Sequence, residues 1–168
     1  MTSRRSSVKR RSRGSRSQRR GTLRIAGSPE VTYRFAGKED LLRLAELNHQ
    51  LIRDERAKNP MTLLQLRRRM QGWLASQYHA VIFESGSEIV GYALFRVDKD
   101  GVYLRQFFIS REMRRRGYGR SAVGLLLEEV FPRGGEVTVE VLNHNRSALT
   151  FWRAVGFTDH ARMLRILL

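Results

Sequence analysis

The residues whose types and spacing could do chemistry are Arg114-Arg115-Arg116-Gly117-Tyr118-Gly119-Arg120, a basic run broken by two glycines. Residues 103–109 before it (YLRQFFI) are apolar and aromatic, as a largely buried strand would be. After it, Ala122, Val123, Leu125, Leu126, Leu127 and Val130 recur at helical spacing, with Glu128 and Glu129 on the outer face. The run therefore sits where a strand passes into a helix. A helix N-terminus presents unpaired N–H groups and the positive end of a dipole, which favours anions. Glycine at 117 and 119 would keep side chains away from those N–H groups, and the flanking arginines add forked donors for phosphate oxygens. The chemistry predicted is the cradling of a pyrophosphate. A basic surface turn before an ordinary helix is the competing reading.

Two kinds of cradle fit. Residues 117–122 match the dinucleotide fingerprint G-x-G-x-x-G/A, with Glu136 and Glu140 near the acidic position that should follow. In that fold the first glycine follows its strand almost directly, whereas here residues 110–116 intervene and only one clear strand–helix–strand unit is present. The alternative is better. Arg114-x-x-Gly117-x-Gly119 resembles the acetyl-coenzyme A signature [Q/R]-x-x-G-x-[G/A] of the GNAT superfamily of N-acetyltransferases. Downstream, Asn145, Ala148, Trp152, Gly156 and Phe157 are similar to that superfamily's N-x-x-A-x-x-x-Y-x-x-x-G-F segment. The resemblance runs over about residues 31–168.

The resemblance implies an α/β (α+β) fold, with a mixed, mostly antiparallel central sheet flanked by about four helices. It implies acetyl-CoA as donor and a small-molecule or peptide amine as acceptor. It places the pantetheine arm along Phe107, Phe108 and Ile109 of a splayed central strand. The pyrophosphate falls at Arg114, Arg115, Arg116, Gly117, Tyr118, Gly119, Arg120 and Ser121, with a further contact from Asn145, which a helix cap would explain equally well. Two departures stand out. Arg115 occupies the place of the first glycine in R-G-x-G-x-G, and Trp152 stands where the motif commonly has tyrosine. An indole N–H is no practical acid at neutral pH, so no general acid is assigned. A thiolate leaves readily, its thiol having a pKa of about 8.5, so positioning and backbone donors can supply much of the rate. Asp54 and Glu55 could bind a cationic amine and Gln106 could orient water or acceptor; surface or structural roles compete for all three. His49, His79, His144 and His160 lack metal-ligand spacing, and no metal is expected. A non-catalytic acyl-CoA sensor is the second reading, motivated by Trp152.

Composition narrows the rest. The chain of 168 residues contains no cysteine, which excludes disulfides, cysteine-ligated zinc and a cysteinyl acetyl-enzyme. Transfer would then be direct from donor to acceptor. No apolar run approaches the ~20 residues of a membrane span, and cytoplasmic residence is the expectation. Of the net charge of +16, most lies in residues 1–24, which hold ten Lys/Arg and no acid. Residues 1–28 are read as a disordered Arg/Ser-rich tail before a single domain, 29–168. That tail could make weak nucleic-acid contacts, a third reading of function, or be only a solvated extension. The chain is expected to be a monomer or homodimer.

In order, residues 30–36 alternate as a first strand, and 38–53 form a helix with Leu41, Leu44, Ala45, Asn48, Leu51 and Ile52 on one face. Residues 62–65 have the capping-box form and open a second helix to about Ser76. Residues 78–84 and 88–97 read as a hairpin, 136–141 as a strand and 146–155 as a helix ended by Gly156. Residues 158–168 are expected to supply the last strand.

Overall fold

The structure is a computed structural model and describes residues 20–23, 27–164 and 166. Residues 1–19, which hold most of the basic tail, lie outside it. Six strands form one sheet in chain order: β1 (Arg20–Leu23), β2 (Val31–Phe35), β3 (Tyr78–Ser85), β4 (Glu88–Val97), β5 (Gly101–Ile109) and β6 (Glu136–Val139). All neighbours are antiparallel except β5 and β6. The parallel step needs a crossover, and α3 (Tyr118–Leu125, continued by a wider turn Leu126–Val130) provides it. The other helices are α1 (Leu41–Asp54), α2 (Leu63–Leu74) and α4 (Arg146–Ala154).

Helices cover both faces, so the middle strands are apolar on both sides rather than alternating with polar residues. Ala80, Ile82, Tyr92, Leu94 and Phe108 pack under α1 and α2 with Leu44, Leu47 and Met70. Val81, Phe83, Ala93, Phe95, Val102 and Leu104 face the other way, onto Tyr118, Ala122 and Leu125 of α3 and Trp152 of α4. The α1 face predicted from periodicity is buried in full, Asn48 included. The capping box of α2 forms reciprocally, Gln65 N–H to Thr62 Oγ1 (3.3 Å) and Thr62 N–H to Gln65 Oε1 (2.8 Å). An ion-pair triad joins the first part of the domain: Arg34 of β2 donates two bonds to Asp40 and one to Glu84 of β3, all 2.8 Å.

The ends differ from expectation. Arg20–Leu23, within the stretch expected to be disordered, pair antiparallel with β2 as an edge strand. At the other end, residues 158–164 form no strand. Arg153 of α4 binds Asp159 through two bonds (2.6 and 3.0 Å), and Asp159, His160 and Arg162 interrupt the apolar alternation a strand needs. Met163, Leu164 and Ile166 remain 71, 85 and 82% exposed. β6 stops at Val139, two residues sooner than expected. Among the described residues, no helix is long and apolar enough to cross a membrane.

Candidate functional site

β5 and β6 pair only from Gly101–Glu136 to Leu104–Val139. Beyond Leu104, β5 runs on for five residues while remaining paired on its other side with β4 as far as Ile109–Gly91. The two strands thus part at the carboxyl end of β5, leaving residues 105–109 without a strand partner on that side among the described residues, with the Ile109 carbonyl taken by Arg114. Phe107 lies half-buried there, stacked on Phe151 of α4 (5.8 Å between ring centroids, 13° between planes). An extended molecule with amide groups could pair with such an edge as another strand would.

The same end of β5 leads into the basic turn. Gly117 is the N-cap of α3 with φ 87°, and the first backbone bond of the helix is Ser121 N–H to the Gly117 carbonyl (3.1 Å). The N–H groups of Tyr118, Gly119 and Arg120 therefore have no acceptor within the helix. Glycine is also required here by the fold itself. Gly117 takes a left-handed φ, and a Cβ at Gly119 would come within 3.0 Å of the Phe151 ring. Arg115 also has a left-handed φ, 59°, which explains why glycine suits that position in the signature. The N–H groups and the exposed Arg115, Arg116 and Arg120 fit a phosphate group.

Arg111 and Arg114 are held elsewhere. Both donate to Asp54 at the end of α1, Arg111 through Nε at 2.7 Å, and Arg114 Nε also binds the Ile109 carbonyl at 2.8 Å. Burial raises the Asp54 pKa, but the two arginines outweigh it and hold the carboxyl below its ordinary range. Asp54 is therefore a tie between α1 and the basic turn.

On the α1/α2 side of β5 lies a polar group within an apolar layer. The buried Tyr92 hydroxyl donates to Gln106 Oε1 (2.9 Å), and Arg69 Nη2 donates to Asn48 Oδ1 (2.8 Å). Glu55 is half-buried, and burial raises its pKa, with Asp54 adding to the rise and His144 opposing it. His144 Nε2 lies 2.9 Å from the Glu55 carbonyl, so the loop before α4 reaches the end of α1. Burial likewise raises the Tyr92 pKa, well clear of neutral pH.

A model of the Acetyltransferase (GNAT) family matches residues 44–157, more than half of the chain. The protein belongs to the GNAT acetyltransferases. Solved GNAT-like structures agree in fold. A possible acetyltransferase from Clostridium difficile 630 is 14% identical, with TM-score 0.65, over 82% of this chain and 98% of its own. An aminoglycoside acetyltransferase from an uncultured soil metagenomic sample, in complex with sisomicin, is 16% identical, with TM-score 0.64, over 82% and 95%. A predicted acetyltransferase with acetyl-CoA from Clostridium acetobutylicum is 18% identical, with TM-score 0.63, over 82% and 96%. A search of curated proteins returns no match.

Within this GNAT fold the sequence-predicted residues fall into three groups. Phe107, Phe108 and Ile109 lie on the stretch of β5 beyond β6, and residues 115–121 form the turn and first helical turn beside it. Asn145 caps α4, its Oδ1 accepting the Ala148 N–H (3.1 Å). Asp54, Glu55 and Gln106 separate: Asp54 joins the arginines, while Glu55 and Gln106 belong to the group around Tyr92. Trp152 is buried against Phe107, Phe151 and Phe157 (5.2, 5.2 and 4.8 Å), so its role is packing beneath the open edge. Sequence reasoning missed Arg69, within a run of three arginines on α2, and Tyr92, inside a strand. Asn48, a polar residue on an apolar helix face, was the available signal for them.

Proposed function

We propose that this protein is an N-acetyltransferase that takes acetyl from acetyl-CoA and passes it directly to an amine. The observation that carries the reading is the open edge of β5 ending at the N-terminus of α3, where free N–H groups and arginines meet. The acetyl-CoA of the Clostridium acetobutylicum relative supports the same donor. When bound, the donor supplies an activated acetyl group: the amine nitrogen bonds to the thioester carbon, the C–S bond breaks, and sulfur leaves with the electron pair and is protonated from solvent. The chain's own contribution is positioning. Residues 105–109 present backbone partners for an extended arm, and the α3 N-terminus and Arg115, Arg116 and Arg120 bind phosphate. Gln106, held by the buried Tyr92 hydroxyl, forms the wall on the acceptor side, and Glu55 can take the proton that the attacking amine must lose.

Calorimetric titration of acetyl-CoA into the intact protein tests this, beside Arg116→Glu. Because Arg116 is exposed, its reversal should leave folding intact and weaken binding by about tenfold or more. Equal affinity in the two proteins, or no binding in either, would remove the cradle. Release of free thiol on adding amines then distinguishes transfer from binding alone.

A further inference from the structure

The polar group beneath α1 and α2 has a charge pattern that the donor site leaves unexplained. Asn48 is fully buried beside the Tyr92 hydroxyl; its Oδ1 accepts from Arg69, and its Nδ2 makes no well-aligned hydrogen bond among the described residues. Arg69 Nε is buried and unpartnered in the same sense. Close by, Arg69 and Arg105 both lie against Trp73, their guanidinium carbons 4.7 and 4.9 Å from its ring centroid. No carboxylate among the described residues pairs with either arginine. Burial and the Arg105 charge both depress the Arg69 pKa, against the pull of Tyr92. The cluster therefore holds two cations that no carboxylate pairs, over two buried N–H groups, a setting that favours an anion.

We propose that the acceptor amine also carries an anionic group, a carboxylate or a phosphate, and that Arg69, oriented by Asn48, and Arg105 hold it. This rests on the acetyl-transfer reading and names the class of acceptor. The opposite pole is present as well. The Tyr92 hydroxyl stands near enough to feel both Glu55 and Arg69. An acceptor lying over Gln106 would set its amine toward the Glu55 carboxylate and its anion toward the arginines. The alternative of a purely cationic acceptor drawn by Asp54 is disfavoured, because Arg111 and Arg114 already occupy that carboxylate.

Matched pairs of amines test the proposal on the intact protein: 4-aminobutanoate against butylamine for the carboxylate, and phosphoethanolamine against ethanolamine for the phosphate. Binding is read by calorimetry without donor, and transfer by thiol release. At least one anionic member should exceed its neutral partner by about tenfold or more in affinity and in kcat/KM. Arg69→Gln should remove most of that preference, and Arg105→Gln, at an exposed position where folding is safe, should remove part of it. The pair showing the preference identifies carboxylate or phosphate. Neutral amines that bind and react as well as the anionic ones would overturn the proposal and leave acetyl transfer standing. A preference unchanged in both variants would also overturn it. No heat with acetyl-CoA and no transfer to any amine would bring down the function and this inference together.

Discussion

At the scale of single residues, the site combines strain with displaced charge. Arg115 holds a left-handed φ of 59° without the freedom of glycine, at a cost of about 1 kcal/mol. Arg115→Gly should therefore raise the unfolding free energy by roughly 0.5–1 kcal/mol, read from urea melts, while removing one phosphate-facing charge. A loss of stability would mean that the arginine side chain contributes more than its backbone costs. Glu55 gives a prediction in pH. Its folded pKa is raised, so the folded state binds the proton more tightly than the unfolded chain does. The stability it contributes is full below the ordinary carboxyl pKa of about 4.3 and is lost as pH rises through the folded value. Glu55→Gln should thus raise Tm at pH 7 and change it little at pH 3.5. The same variant should remove the acidic limb of the kcat/KM profile if Glu55 takes the amine proton, and thermal melts with pH–rate curves check both.

At the scale of elements, the domain depends on ties between pieces distant in sequence. The Arg34–Asp40–Glu84 triad fastens the start of α1 to β2 and β3, with Asp40 only 9% exposed. Burial raises the Asp40 pKa, but Arg34 and the Gly37 N–H outweigh that effect and leave it below the ordinary value. A depressed carboxyl contributes stability above its unfolded pKa of about 3.9 and loses it as pH falls through the folded value. Asp40→Asn should cost about 3 kcal/mol at pH 7, and the gap from the parent should close in strong acid. Chemical denaturation at pH 7 and pH 2.5 measures both, and a constant gap would show that hydrogen bonding rather than charge makes the tie. The helix assignments were largely legible beforehand, because Leu41, Leu44, Ala45, Leu51 and Ile52 recur with helical period and Thr62 with Gln65 marks a start. The last strand was not, since the Arg153–Asp159 pairing that draws residues 158–164 away cannot be read from local pattern.

At the scale of the whole molecule, β1 closes one edge of the sheet and its removal should be felt throughout. Deleting residues 1–19 should leave Tm unchanged, whereas deleting 1–27 removes β1, bares the β2 edge and should lower Tm and promote association. Melting curves and light scattering on the two truncations decide this; identical behaviour would mean that β1 contributes nothing. The basic tail predicts a separate effect. Any affinity of the full chain for DNA should fall steeply with salt and disappear in the protein lacking residues 1–19.

Much of this protein follows from its sequence alone. The run 114–120 between an apolar strand and an amphipathic helix, with the Asn145–Phe157 segment, was enough to indicate the family. Those features are legible because periodicity and turn chemistry act over a few neighbouring residues. The tertiary structure decided which charges remain free. Asp54 looked available until the fold brought Arg111 and Arg114 to it across more than fifty residues of chain. Arg69 is one of three successive arginines in the sequence, and only the packing of α2 turns it toward Asn48 and Trp73. Charge is a property of a residue, but whether it is paired, buried or open to a ligand depends on contacts between elements that local sequence does not specify.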